Sequence, residues 1–253
     1  MTDKINFKML KPFGSTLAKA ELPLKLVSEF LKDLKEIRGD KEKSKTHDFG
    51  HHLVGAVKNE YLITPKLMLK WKQDFFNPVI KTYAEHHYPN KIAKKIIILS
   101  AWYVVSVSGD YNPQHSHTNF GKTEDKQPHL SCVGYLNLPA QMKDEKSHEK
   151  QHHRTNGHIE FNEGSEGIFT NALHMVKPEI QDWYLFPCNL RHSVYPFFGD
   201  GERISFSFFS FSSSSLPNSS MVFPVIFLFQ HSAQRSIPFS TTSAFIPHFL
   251  QSL

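Results

Sequence analysis

The feature that most constrains the fold is a series of short apolar runs in the second half of the chain. The first run, residues 96–107, is rich in β-branched and aromatic side chains, which favour strands over helices. Further runs follow between turn-forming residues, at 130–138, 157–161, 168–169, 183–186 and from 203 onward. Many short strands with alternating inward side chains predict a sandwich or a barrel.

A pair of histidines follows the first predicted strand. The turn 108–113 leads to His115 and His117, which are two residues apart. Because successive side chains of a strand point to opposite faces, these two imidazoles project the same way and can hold one metal ion. His192 supplies a third imidazole far along the chain. Three imidazoles suit iron, copper, zinc or nickel, and their number does not choose among these metals.

An anion-binding pair follows His192. Arg203 comes eleven residues later and begins an alternating run, in which Ser205 shares its face. The planar guanidinium group of Arg203 can bind a carboxylate through two hydrogen bonds, and Ser205 can donate a hydrogen bond beside it. The alternative is that Arg203 forms a surface ion pair with Glu202 or Asp200.

Polar side chains of the predicted strand 130–138 form a further group of candidates. Ser131, Tyr135 and Asn137 share one face of this strand. If that face points inward, Tyr135 lies beside the metal and can supply another donor. Ser131 and Asn137, together with Asn112 before the histidine pair, are candidates for contact with a substrate or cosubstrate.

Two amphipathic helices are predicted before these motifs. Apolar residues recur at intervals of three and four over residues 15–38, with an interruption near Pro23, and again over residues 65–87. We expect both helices to pack on the outer face of a sheet, away from the metal. Residues 41–48 are predicted to be a charged link between elements.

Composition narrows the class of protein. The net charge of +5 comes without a concentrated block of Lys and Arg, so a nucleic-acid partner is not expected. Cys132 and Cys188 lie in apolar surroundings, which favours buried thiols over a disulfide. No apolar signal core begins the chain, and the apolar run 221–229 is too short to cross a bilayer as a helix. We therefore expect a cytoplasmic protein without a membrane span, and the oligomeric state stays open.

The order of these motifs resembles a known superfamily. His115-x-His117, the strand 130–137, the run 157–161, His192 and Arg203-x-Ser205 follow one another as in the iron(II)- and 2-oxoglutarate-dependent oxygenases. The resemblance is closest to an oxygenase group of marine bacteria and phages that carries a His-x-His motif. It covers roughly residues 97–211, which is less than half of the chain.

The resemblance implies a fold and a division of the chain. The fold would be mainly β, with a double-stranded β-helix core of about eight strands (jelly-roll, cupin-like) and flanking N-terminal helices. Residues 1–211 would form a single domain, with a helical scaffold over 1–92 and the jelly-roll core over 93–211. Residues 212–253, rich in Ser and Phe, would be a C-terminal extension of unknown role.

The resemblance also implies an activity. His115, His117 and His192 would hold Fe(II), while Arg203, Ser205 and Tyr135 would bind 2-oxoglutarate as cosubstrate. The enzyme would be a dioxygenase that hydroxylates a polar small molecule or peptide and releases succinate and CO2. No catalytic side chain is implied beyond the metal centre.

One departure from the superfamily keeps alternatives open. Most members have His-x-Asp, and this chain has His117 where the carboxylate would stand. Halogenation or an inactive, uncoupled site are therefore alternatives to hydroxylation. A jelly-roll protein that binds a metal for structure or interaction, or a three-His cupin-type dioxygenase without a cosubstrate, are further alternatives. Arg203 argues against both, because neither needs an anion pocket beside the metal.

Overall fold

The computed structural model describes residues 7–10, 14–52, 54–87, 95–117, 129–143, 156–165, 167–168 and 171–213. Except for its first two residues, the extension 212–253 lies outside these ranges. The described strands form two antiparallel sheets, one of seven strands and one of four. In spatial order, the larger sheet consists of β1 (Phe7–Leu10), β2 (Leu17–Glu21), β9 (Asp182–Pro187), β6 (Leu130–Asn137), β11 (Arg203–Ser213), β4 (Lys95–Ser106) and β3 (Asn59–Leu62). The smaller sheet consists of β5 (Asn112–His115), β10 (Arg191–Val194), β7 (Ile159–Asn162) and β8 (Leu173–Val176).

The path of the chain between the sheets identifies the fold. From β4 to β11 the chain crosses repeatedly from one sheet to the other: β4, β6, β9 and β11 lie in the larger sheet, and β5, β7, β8 and β10 lie in the smaller one. Eight strands wound in this way form a double-stranded β-helix, a jelly roll whose two sheets enclose a cavity. The predicted fold class is confirmed.

Helices cover the outer face of the larger sheet. They are α1 (Leu24–Arg38), α2 (Lys41–His47), α3 (Pro65–Trp71) and α4 (Asn77–His87), and a π-helical turn, Lys72–Phe76, joins the last two. The buried side of α1 packs on the sheet, where the Phe30 ring lies 5.0 Å from the Phe206 ring of β11. This apolar layer determines which face of each strand is left for the cavity.

Two predictions about the N-terminal region were wrong. Residues 17–21 form strand β2 instead of the first turns of a helix, and α1 begins only after Pro23. The reason is tertiary: β2 pairs with both β1 and β9, and this pairing outweighs the local helical pattern. The predicted link 41–48 contains helix α2, whose first turn is capped by the Asp40 carboxylate.

Other elements also differ from prediction. Ile168 lies in a turn with 93% of its surface exposed, so it is not a strand residue, and Phe169 lies outside the described residues. The predicted helical scaffold 1–92 also contributes β1, β2 and β3 to the larger sheet. Because these strands share the sheet of the jelly roll, they support the proposal of one domain over residues 1–211.

Cys132 and Cys188 are buried free thiols, as predicted. In the described part of the chain, no helix is both long enough and apolar enough to span a bilayer.

A test of this packing uses Gly134 of β6. A Cβ atom at this position would lie 2.3 Å from the Phe206 ring and 3.0 Å from the Trp183 ring, both of which are fully buried. We expect Gly134→Ala to destabilise the protein by about 1–3 kcal/mol through overpacking, measured by urea unfolding. Gly50→Ala is the matched control, because its Cβ atom would meet no other atom closer than 3.6 Å. Equal stability of the two variants would contradict this account of the core.

Candidate metal centre

Three histidines meet on the smaller sheet at the mouth of the jelly roll. His115 ends β5 and pairs in register with His192 on the neighbouring strand β10. His117 follows two residues later, and its backbone N–H donates to the carbonyl of Cys188 at 2.8 Å. The ligand nitrogens of the three imidazoles lie within 4.8 Å of one another. Within the described ranges, no other group of His, Cys, Asp or Glu is arranged to hold a metal.

Hydrogen bonds set the orientation of two of these rings. The Nδ1–H group of His115 donates to the Pro113 carbonyl at 2.7 Å, and that of His192 donates to the Leu190 carbonyl at 3.0 Å. In this tautomer the Nε2 lone pair of each ring is free for a metal. The Nε2 atoms of His117 and His192 are 3.2 Å apart, close to the ~3 Å expected for two nitrogens that share a metal at about 2.1 Å.

Burial keeps the three imidazoles neutral. The ring of His192 packs 4.9 Å from Phe186, and that of His117 packs 4.6 Å from Phe209. Desolvation, with repulsion from the neighbouring imidazoles, lowers the pKa of His117 to about 2 and that of His192 to about 3. Desolvation also lowers the pKa of His115. Neutral imidazoles are the form that binds a metal, so the donor set fits a divalent transition metal.

The ligand set is open on one side. It contains three protein donors, whereas structural zinc sites almost always have four. The three imidazoles line a cavity between the two sheets. The side chains that line it with the histidines include Arg203, Ser205, Tyr135 and Ser131. An open centre of this kind can accept further ligands, which a purely structural site does not need.

Arg203 is a buried cation inside this cavity. It is 2% exposed, and its guanidinium group donates to Gly157 O at 3.2 Å, Tyr195 O at 3.4 Å and Ser106 Oγ at 3.0 Å. No carboxylate forms a salt bridge with it in the described residues. The alternative of a surface ion pair was wrong, because Arg203 is buried and Glu202 pairs with Arg38 at 2.8 Å.

The structure places the other candidate residues in two groups. Tyr135 lies opposite Ser205 in the sheet, and both line the cavity with Ser131 and Asn112. Burial raises the pKa of the Tyr135 phenol, which therefore remains a donor at neutral pH. Asn137 lies outside the lining, because a β-bulge shifts its pairing to Ile204 and its amide donates to the Glu202 carbonyl at 2.8 Å.

Glu60 is a cavity residue that the sequence pattern did not reveal. It lies on β3, an edge strand, and lines the cavity with only 3% of its surface exposed. Desolvation, with the nearby carboxylates of Asp110 and Asp48, raises its pKa from 4.5 to about 8. The sequence shows only a single acidic residue within the run 59–63. Its position in the cavity follows from the pairing of β3 with β4.

Fold and site together define a jelly-roll protein with a candidate metal centre. Comparisons with known proteins narrow this class. Residues 100–209, which carry the three histidines and the cavity residues of β4, β6 and β11, match the family model described as "Putative 2OG-Fe(II) oxygenase". This part of the chain is similar to the 2-oxoglutarate- and Fe(II)-dependent oxygenases, and the match covers less than half of the chain. No curated protein matches the sequence.

Several solved structures resemble most of the chain at low identity. A prolyl-4-hydroxylase from Pseudomonas putida is 14% identical, with a TM-score of 0.49 over 83% of this chain and 94% of that one. HygX from Streptomyces hygroscopicus, solved with nickel and 2-oxoglutarate bound, is 13% identical, with a TM-score of 0.47 over 82% and 83% of the two chains. The fold assignment therefore depends on the strand order of this chain, and the site assignment on its own residues.

The first prediction from this geometry concerns metal binding. Replacing His115, His117 or His192 by Ala should weaken Fe(II) or Co(II) binding by more than about a hundredfold, because the loss of a ligand should exceed the 10–100-fold typical of outer-shell changes. Anaerobic calorimetric titration measures this. His86→Ala, on the exposed end of α4, is the control. Full affinity in any one of the three variants would remove that residue from the ligand set.

The second prediction concerns the stability of the metal-free protein. Because the folded-state pKa of Glu60 lies above its unfolded value, its contribution to stability is present below pH 4.5 and is lost as the pH rises towards 8. Glu60→Gln stays neutral, so it should raise the free energy of unfolding at pH 8 by on the order of a few kcal/mol, with little change at pH 4.5. Urea unfolding at the two pH values measures this. A variant less stable at pH 8 would contradict the assigned environment.

Proposed function

We propose that this protein uses Fe(II) and 2-oxoglutarate to hydroxylate a polar substrate, with His115, His117 and His192 as the metal ligands. The observation that carries the proposal is the buried guanidinium of Arg203, which lines the same cavity as the three imidazoles and forms no salt bridge with a carboxylate in the described residues. A buried charge without a counterion is costly. A dianionic cosubstrate that reaches from the metal to Arg203 would supply the counterion.

Three side chains on adjacent strands would hold the far carboxylate of 2-oxoglutarate. Arg203 and Ser205 project from β11 on the same face, and Tyr135 stands opposite Ser205 on β6. The guanidinium and the two hydroxyl groups are all donors, and an ionised carboxylate accepts such bonds strongly. The rings that surround His192 and His117 exclude water from the metal side. When bound, Fe(II) and 2-oxoglutarate supply the oxidation of the substrate, with release of succinate and CO2.

The geometry of the cavity favours this activity over the alternatives that the sequence left open. A metal bound only for structure does not need the buried cation beside it, and a three-His dioxygenase without a cosubstrate leaves Arg203 without a counterion. Hydroxylation is the proposed outcome, and halogenation is not supported by any specific observation.

The discriminating experiment is an anaerobic titration with Fe(II) and 2-oxoglutarate, in which the visible charge-transfer band of the chelate should appear at one equivalent. Metal binding without this band would contradict the proposal.

The substrate class and the cellular compartment are proposals of the same kind. A polar small molecule or peptide is proposed as substrate. The two buried free thiols support a reducing, cytoplasmic compartment. An origin in phages or marine bacteria remains an expectation from the sequence resemblance alone.

The third prediction tests Arg203 as the cosubstrate clamp. Charge-assisted hydrogen bonds contribute about 1.5–3 kcal/mol each, so Arg203→Ala should raise the 2-oxoglutarate concentration needed by about ten- to a hundredfold. Arg203→Lys should recover part of the affinity, because lysine restores the positive charge but not the planar guanidinium group. The readout is the titration of the charge-transfer band with 2-oxoglutarate.

Two controls separate binding from folding. Arg203 also donates to two backbone carbonyls, so its removal should lower the stability of the protein. The titration is therefore carried out well below the melting temperature of each variant. Tyr135→Phe removes one hydroxyl with little change of volume and should weaken 2-oxoglutarate binding less than Arg203→Ala does. Arg38→Ala removes an exposed arginine on α1 as the charge control. Normal 2-oxoglutarate affinity in folded Arg203→Ala would make Arg203 a purely structural residue.

A further inference from the structure

Glu60 lies at one end of a row of side chains that crosses the larger sheet. Glu60 on β3 is opposite Val104 on β4, Val104 is opposite Ser205 on β11, and Ser205 is opposite Tyr135 on β6. Directly opposed residues share a face of the sheet, so all four face the cavity, as its lining confirms. The row therefore runs from Tyr135 and Ser205, which are proposed to bind the cosubstrate, to the edge strand β3. Glu60 on that strand has no role in the proposed cosubstrate site.

Glu60 differs from the other buried carboxylates of the described chain. Glu160 accepts a hydrogen bond from the Tyr195 hydroxyl at 2.7 Å, and Asp182 pairs with Lys19 at 2.8 Å. Glu60 is at least as buried, at 3% exposed, yet no described side chain donates to it or pairs with it. The Glu60 carboxyl group faces the cavity without a donor from the described side chains, so a ligand in the cavity can supply one.

The surroundings of Glu60 favour a cation as that partner. Asp48 and Asp110 are the charged neighbours that raise its pKa, and each already accepts a backbone N–H, from Gly50 and Val107 respectively. Glu60 is the member of this acidic group that lines the cavity. The Arg203 guanidinium lines the same cavity, but no salt bridge joins it to Glu60. The two charges remain available for two different ligand groups.

An apolar rim lies beside Glu60 at the opening of the cavity. Val54 lines the cavity with 54% of its surface exposed, and Tyr111 is 46% exposed. Two hydrogen bonds hold these segments together, from Asn112 Nδ2 to Val54 O at 2.6 Å and from Ala56 N to Tyr111 O at 3.0 Å. A ligand that enters across this rim would meet aliphatic and aromatic surface first and the Glu60 carboxylate deeper inside.

We propose that Glu60 binds a cationic group of the substrate, an amine or a guanidinium carried on an aliphatic stem. This inference rests on the proposed function, because it assigns the substrate class of the same site. The stem would lie against the apolar rim and the cation would pair with Glu60, while the cosubstrate carboxylate occupies Arg203 in the same cavity. A charge-assisted contact to Glu60, which is 3% exposed, discriminates against a neutral analogue.

The test uses two probes of nearly equal shape, n-butylguanidinium and n-butylurea. Each is titrated calorimetrically under anaerobic conditions into the full chain loaded with Fe(II) and 2-oxoglutarate. The wild type should bind the guanidinium about tenfold or more tightly than the urea, as expected for one charge-assisted hydrogen bond. Glu60→Gln should bind the two probes within about threefold of each other. Glu36→Gln, which removes one negative charge from the exposed face of α1, should keep the wild-type preference.

The outcomes separate this inference from the proposed function. The charge-transfer band of the Fe(II) and 2-oxoglutarate complex is recorded for every variant before the probes are added. If the band forms normally but the wild type binds both probes equally, or binds neither, the assignment of Glu60 is wrong and the proposed function stands. Full preference for the guanidinium in Glu60→Gln would also overturn the assignment. If the band does not form in the wild type, the proposed function itself is wrong, and this inference falls with it.

Discussion

The antiparallel pairing of β11 with β4 on one side and β6 on the other determines where the charged groups of the cavity lie. In this register Arg203 and Ser205 face the cavity, while Phe206 and Phe208 pack under the helices. A slip by one residue would exchange the two faces, placing a guanidinium among buried aromatic rings and a phenylalanine beside the metal ligands. The burial of aromatic side chains outside the sheet thus fixes the orientation of the polar side chains inside it.

The parts of the site that sequence could predict are those set by local alternation. His115 and His117, and likewise Arg203 and Ser205, are two residues apart, and a strand places such residues on one face whatever else surrounds it. The same rule placed Tyr135 in the cavity. It failed for Asn137, because a β-bulge between Ile204 and Ser205 shifted the pairing at the end of β6.

Features that depend on long-range pairing could not be predicted in this way. Residues 17–21 have a pattern compatible with a helix, and only the presence of β1 and β9 on either side makes them a strand. Glu60 belongs to a four-residue strand at the sheet edge, and its position in the cavity follows from pairing with β4. The register of His192 opposite His115 joins segments 77 positions apart, and no local pattern in either segment specifies it.

The charge of the metal centre connects His117 to Glu60. Three neutral imidazoles contribute no negative charge to a divalent metal, whereas a site with a carboxylate ligand contributes one. A dianionic cosubstrate whose far carboxylate pairs with Arg203 would bring two negative charges to a cavity that holds a divalent metal and the Arg203 cation, so the loaded cavity would keep one net positive charge. Glu60 is the cavity carboxyl group that can restore this balance. Since a bound cation favours ionisation of a nearby carboxyl group, filling the metal site should lower the pKa of Glu60 from its raised value in the metal-free protein. Metal loading would therefore favour the ionised form of Glu60, which is the form that pairs with a cationic group.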